Sequence, residues 1–314
     1  MAAYDESTTG EPFAPTASVC GMWRPSAGLV ALALLATALG GCDNDVRAAR
    51  DIGAYVSLGD SYTAGAGTGL PVSGPAGACG QVPGNYPRIV AKEIAAELTD
   101  MSCGGAATEN ATLPQTGNGA VGWPPQLDAV DRETDLVTVG LGYNDRAFLL
   151  DTLFGCASVA PQDPTGSPCR DLRQQSGVDA QDLPGVIGAN LAGVLDEIHD
   201  RAPDADVLVV GYPQPVPLEG TCPELPLATG DYPYVRDQLE RLDDAMRRAA
   251  EDAGATFVDV MHASAGHDIC AGDEAWVNGA ESRPGVAAVY HPFAVEQRAV
   301  ADLIVQELAG QSRS

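Results

Sequence analysis

Four residues far apart in the chain carry the groups that acyl transfer at a carbonyl requires. They are a serine hydroxyl at Ser61, a glycine amide at Gly104 or Gly105, a carboxamide at Asn144 and an imidazole at His291. A serine nucleophile needs a base to take its proton, and the tetrahedral intermediate needs N–H donors aimed at its oxyanion. Each stands in a short segment: Gly59-Asp60-Ser61-Tyr62, Cys103-Gly104-Gly105-Ala106, Gly142-Tyr143-Asn144-Asp145 and His291-Pro292. Ser61 directly follows an apolar run, where a tight turn presents the hydroxyl and sets its own N–H at a helix start. A serine there is also an ordinary helix N-cap, adjacent glycines an ordinary turn, and an asparagine after a strand a common turn former. The joint order of the segments favours the chemical reading, a serine esterase site.

Of the four histidines, His291 has the fitting context, on a loop before Pro292 and a C-terminal helix, from which it could serve as general base and then acid. His199 falls near the end of a predicted helix, where the helix dipole accounts for it. His262 and His267 flank a small-residue loop with no matching set of metal ligands. There is no Cys-x-x-Cys pair, so neither a zinc site nor a redox motif is supported, and no metal or cofactor is expected. A Gly-x-Ser-x-Gly elbow, the mark of the other common α/β serine hydrolase design, is also absent from the sequence.

The elements that must position these residues alternate along the chain. Apolar runs predict strands over 54–58, 98–102, 136–141, 207–211 and 256–260, the second weaker than the rest. The runs lack in-out alternation, as expected of parallel strands covered on both faces. Helices are predicted over 86–98, 186–201, 235–253 and 294–308, and Ile187, Leu191, Val194, Leu195 and Ile198 form one apolar stripe. Such alternation predicts one α/β domain with a parallel sheet between two helical layers. Ser61, Gly105 and Asn144 each follow a predicted strand, at the carboxyl edge where ligands bind in such sheets. The stretches 68–84, 155–176 and 213–233 are rich in Gly, Pro, Ser and Asp and read as loops around that edge.

The order and spacing of the four segments resemble the SGNH (GDSL-type) hydrolases, in particular the secreted actinobacterial lipases and esterases. Asn85-Tyr86-Pro87, Trp123-Pro124-Pro125-Gln126-Leu127 and a six-cysteine frame extend the likeness, which runs from about Ala54 to Leu308. The resemblance implies a three-layer α/β/α sandwich, flavodoxin-like, with about five parallel strands. It implies an esterase or lipase acting through an acyl-enzyme on Ser61, with His291 as general base and an oxyanion hole of Ser61, Gly105 and Asn144. It maps the oxyanion glycine onto Gly105 rather than Gly104, and Asp145 reads as structural. Tyr143 replaces a small residue often found there, a change expected to narrow the pocket. The family usually has Asp three residues before its histidine, where this chain has Ala288. Some relatives use a main-chain carbonyl instead, so the Ala288 carbonyl is the expected partner of the imidazole, with Asp273 or Glu281 as alternative carboxylates. An acyltransferase or thioesterase on the same residues, or a non-catalytic lipid- or glycan-binding surface lipoprotein, are the rival functions.

Lys and Arg number 17 against 43 Asp and Glu, a formal charge of −26 over 314 residues, which repels phosphate backbones and argues against nucleic-acid binding. The expected partner is a small-molecule or lipid ester, and the expected state a monomer. Near the N-terminus, Met22-Trp23-Arg24 precedes an apolar run from Leu29 to Leu39 and then Gly40-Gly41-Cys42. That is the plan of an export signal, too short to span the ~30 Å hydrocarbon core comfortably. Residues 22–41 are read as signal peptide, Cys42 as a lipidation site tethering the protein to a membrane, 42–50 as a short tether and 51–314 as the hydrolase domain. Residues 1–21 hold Asp5, Glu6 and Glu11 and no basic residue, so translation is expected to start at Met22. The destination is the cell surface or the medium. Six cysteines remain in the exported body, and sequence alone allows fifteen pairings. The resemblance implies the sequential set Cys79–Cys103, Cys156–Cys169 and Cys222–Cys270.

Overall fold

The computed structural model describes residues 52–116, 122–176 and 183–311. The expected extension, signal peptide, tether and Cys42 lie outside the described residues. Five strands, β1 (Ala54–Gly59), β2 (Glu97–Asp100), β3 (Leu136–Gly140), β4 (Asp206–Val210) and β5 (Thr256–Val258), form one sheet in the order β2-β1-β3-β4-β5. Every pairing is parallel. This is a doubly wound order whose direction reverses between β1 and β3, and ligand crevices open outside the carboxyl ends of such strands.

Successive side chains of a strand point to opposite faces, and here each face has its own core. Val56, Leu58, Val137, Val139, Val207 and Val209 pack in one cluster, while Tyr55, Leu136, Leu208, Val210 and Val258 pack in the other. The register pairs Val56 with Val137 and Val137 with Val207, which keeps like faces together across the central strands. Burial on both faces accounts for the near-continuous Val and Leu runs.

In chain order the helices are α1 (Ser61–Ala64), α2 (Pro75–Ala78), α3 (Tyr86–Glu93), α4 (Cys156–Val159), α5 (Pro168–Gln175), α6 (Leu183–Arg201), α7 (Tyr232–Asp252), α8 (Val260–Ala263) and α9 (Ala294–Gln311). The predicted stripe of α6 packs with Val235, Leu239, Leu242 and Met246 of α7 over the first face. Tyr86 and Val90 of α3 and Val300, Ile304 and Leu308 of α9 cover the second. The result is the α/β/α sandwich expected from the sequence. Among the described residues no helix is long and apolar enough to cross a membrane.

Two expectations need correction. The first concerns α3, which stops at Glu93 instead of running to Leu98, because Ala95 takes φ +58° and turns the chain into β2. β2 is an edge strand of alternating exposure, so its apolar signal is faint. The second concerns stretches read as loop: 68–84 holds α2, and 155–176 holds α4 and α5. Pro168 opens α5, where its missing N–H costs nothing, so a residue read as a breaker is here a helix start. Disulfides Cys79–Cys103, Cys156–Cys169 and Cys222–Cys270 tie down the loops. In the chain-entropy account bridges of such spans each contribute about 3 to 4 kcal/mol.

Candidate active site

The carboxyl end of β1 is fixed before Ser61 is reached. The Gly59 N–H donates to Gln126 Oε1 at 2.7 Å, and the Gly59 carbonyl accepts from Gln126 Nε2 at 2.9 Å. A Cβ at Gly59 would lie 2.0 Å from Thr63 Oγ1, so only glycine lets α1 fold back over the strand end. Asp60 caps α1 by accepting the Tyr62 N–H at 2.8 Å. Ser61 is the first residue of α1, and a first-turn N–H has no intrahelical acceptor.

Ser61 Oγ lies 2.9 Å from His291 Nε2, and His291 Nδ1 lies 2.7 Å from the Val289 carbonyl. A carbonyl can only accept, so Nδ1 carries the proton and Nε2 is left to accept from the serine. Burial pushes the His291 pKa below its ordinary value, with the Val289 hydrogen bond opposing. The imidazole is therefore neutral at pH 7, the form a general base needs.

The expected Ala288 partner is not the one in contact with the ring. The Ala288 carbonyl accepts from Asn278 Nδ2 at 2.9 Å and from the His291 main-chain N–H at 3.2 Å, closing a turn over residues 288–291. Within that turn Tyr290 takes φ +54°, uncommon for a residue other than glycine, and the neighbouring Val289 carbonyl meets the imidazole instead. Tyr62 Oη, donating to the Tyr290 carbonyl at 2.5 Å, and the edge-on contact of Tyr290 with Phe154 hold it there. Neither Asp273 nor Glu281 hydrogen-bonds the ring, whose partners are Val289 and Ser61.

Beside Ser61, the Cys79–Cys103 bridge and the Cys103 N–H bond to the Gly59 carbonyl, 3.0 Å, set the glycine turn. The Gly104 N–H is spent on the Cys79 carbonyl at 2.7 Å, whereas the Gly105 N–H meets no acceptor among the described residues. Gly105 has φ +79°, accessible to glycine without strain. Asn144, after β3, gives one N–H to the Ala106 carbonyl at 2.9 Å, and its Nδ2 lies 3.4 Å from Asp60 Oδ2. Asp145 is structural in its bonds, accepting from the Thr108 N–H, the Thr108 hydroxyl and Asn190. Tyr143, expected to narrow the pocket, is buried and stacked on Tyr212 with ring centroids 3.5 Å apart.

The remaining histidines have structural partners or none that suggest chemistry. His199 bonds the Ala253 carbonyl at the end of α7, and His267 stacks on Trp276 and bonds the Glu274 carbonyl. Among the described residues no group of His, Cys, Asp and Glu could hold a metal ion. Besides Val289, Tyr62 and Tyr290, four residues with a part in the geometry went unread in the sequence: Asp60, Gln126, Tyr212 and Asn278. Gln126 lay in a quoted segment and Asp60 beside the serine, but nothing local marks the other two. Burial raises the Asp60 pKa to about 7, against the Tyr212 hydroxyl and main-chain donors that favour its charged form.

The chain belongs to the GDSL-like Lipase/Acylhydrolase family, which matches residues 57–294. It is a carboxylic ester hydrolase. Lipase 2 of Streptomyces coelicolor is 38% identical over 256 residues, 79% of this chain and 83% of that protein. The crystal structure of phospholipase A1 from Streptomyces albidoflavus aligns with TM-score 0.66 at 27% identity, covering 84% of this chain and 100% of the other. The extracellular lipase of Streptomyces rimosus aligns with TM-score 0.66 at 29% identity, covering 81% of this chain and 98% of the other.

Proposed function

We propose that this chain is an exported serine esterase or lipase that hydrolyses carboxylic esters through an acyl-enzyme on Ser61. His291 Nε2 takes the Ser61 proton as Oγ attacks the ester carbonyl. The oxyanion is received by the N–H groups of Ser61 and Gly105 and by the second Asn144 N–H. His291 then gives its proton to the leaving alcohol, and the same nitrogen activates the water that releases the acid. The Val289 carbonyl holds the productive tautomer. Being neutral, it stabilises the imidazolium less than a carboxylate would, so orientation is its contribution.

The observation that carries the reading is the 2.9 Å contact between Ser61 Oγ and His291 Nε2, with the opposite ring nitrogen on a main-chain acceptor. Export is supported by the apolar run ahead of Cys42, by disulfides that persist in oxidising compartments, and by the extracellular lipase among the similar structures. A lipid anchor on Cys42 would keep the enzyme at the cell surface. The phospholipase A1 neighbour and the lipase relatives favour a lipid ester as substrate. The test is a p-nitrophenyl ester panel from acetate to palmitate on the wild type and Ser61→Ala. Hydrolysis should fall by about 10⁴-fold or more with every ester. Activity unchanged by the substitution would exclude Ser61 as nucleophile.

A further inference from the structure

Tyr212 lies just beyond β4, and its hydroxyl joins the ends of three strands. It donates to Asp60 Oδ2 at 2.7 Å, after β1, and accepts the Tyr143 N–H at 3.2 Å, after β3. Its ring is buried, stacked on Tyr143 and edge-on to Tyr62. Asp60 is fully buried, and its Oδ2 is also the atom 3.4 Å from Asn144 Nδ2. The Asn144 carboxamide has two N–H groups, one of them held by the Ala106 carbonyl at 2.9 Å. Asp60 and an oxyanion therefore compete for the other. A buried carboxylate oxygen left without a donor is costly, and bonds to an ionised acceptor are shorter and stronger than neutral ones.

We propose that Tyr212 is a positioning residue for ester hydrolysis: by donating the shorter bond to Asp60 Oδ2, it weakens that oxygen's hold on the second Asn144 N–H, which is then available to the oxyanion. The inference rests on the oxyanion role given to Asn144 above. Without the Tyr212 hydroxyl, an ionised Asp60 draws the carboxamide towards itself, whereas a protonated Asp60 does not. The groups facing Asp60 are Tyr62 and the Thr63 N–H from α1, Tyr86 from α3, Tyr143 and Asp145 after β3, Tyr212 after β4 and Glu296 from α9. Burial keeps the phenols neutral, Asp145 opposes ionisation of Asp60, and Asp60 in turn opposes ionisation of Glu296. Removing the Tyr212 donor raises the Asp60 pKa further above about 7. The defect of a Phe variant must then deepen as pH rises through that range.

The experiment measures kcat and KM for p-nitrophenyl butyrate across neutral pH on four proteins: wild type, Tyr212→Phe, Asn144→Ala and the double variant. The Phe ring keeps the stacking on Tyr143. Tyr212→Phe should lower kcat about tenfold on the alkaline side, part of the ~10² to 10³ a full oxyanion donor is worth, with KM little changed. The ratio to wild type should recover towards one on the acid side. In the Asn144→Ala background the same substitution should cost no more than about twofold, because both act through one carboxamide. A merely structural role would give a pH-independent ratio and an equal loss in both backgrounds, and either result overturns the proposal. Wild-type kcat in Asn144→Ala alone would instead remove the oxyanion reading, and the proposal with it.

Discussion

Ser61 and Asn144 follow directly from β1 and β3, whereas His291 sits on a loop well beyond β5, and the two halves of the site are held by different means. On the sheet side, ladder hydrogen bonds, the Gln126 clamp on Gly59, the Asp60 cap and the Cys79–Cys103 bridge all act on neighbouring atoms. On the histidine side, residues 276–279 pair with 290–293 through a few main-chain bonds, the Asn278 carboxamide ties in the Glu281 and Ala288 carbonyls, and the Tyr62 hydroxyl holds the Tyr290 carbonyl. Ser61 and the proposed oxyanion donors are thus part of the core's geometry. The proposed base, His291, stands on a loop whose placement depends on few contacts, so damage to the two halves should read out differently.

The largest expected effect is loss of the base. His291→Ala should lower kcat by about 10³ or more. Because burial depresses the imidazole pKa, wild-type activity should fall on acidification only below the ordinary histidine value of about 6.5. That acid limb should be missing from the variant's residual rate. Next comes the loop anchor. Asn278→Ala should cost about tenfold or more in kcat, because a displacement of order 1 Å at a catalytic group can cost about 10². The matched change on the sheet side is Gln126→Leu, which leaves the Gly59 N–H unpaired at about 1 to 3 kcal/mol, while the Gly59 carbonyl keeps the Cys103 N–H. It should lower Tm clearly while the folded enzyme keeps kcat within about threefold. A Gln126 variant that loses kcat without Tm, or an Asn278 variant that does the reverse, would break the contrast.

The smallest effect on catalysis concerns Glu296, buried beside Gln297 at the start of α9, where burial raises its pKa from 4.5 to about 8. A carboxyl whose folded pKa lies above its unfolded value contributes stability that is complete below the unfolded value and is lost as pH rises towards the folded one. Thermal unfolding of the wild type should therefore weaken between about pH 4.5 and pH 8. Glu296→Gln should flatten that slope, matching wild type at the acid end and exceeding it at the alkaline end. An unchanged slope would mean that Glu296 ionises without cost.

The same division decides what could be read from the sequence. The inner strands β1, β3 and β4 stand within about one residue of their predicted positions because burial on both faces makes long apolar runs, and the edge strands β2 and β5 within about two. Ser61 and Asn144 could be located because a strand end announces them. α5 was hidden because its Ser167-Pro168 start looks like loop, and α4 because it is a single turn after Gly155. Which carbonyl meets His291 depends on the φ of Tyr290, and no residue type encodes that value locally. Tyr212 meets Asp60 across 152 positions and Asn278 acts on a carbonyl, so neither carries a pattern that sequence alone displays.

The central claim is that Ser61 is the nucleophile and His291 its base. Treatment with a p-nitrophenyl phosphonate ester, followed by peptide mass mapping, tests it most directly. The expected result is one phosphonyl adduct, on Ser61, formed in the wild type and greatly slowed in His291→Ala. An adduct on another residue, or labelling of Ser61→Ala at the wild-type rate, would contradict it.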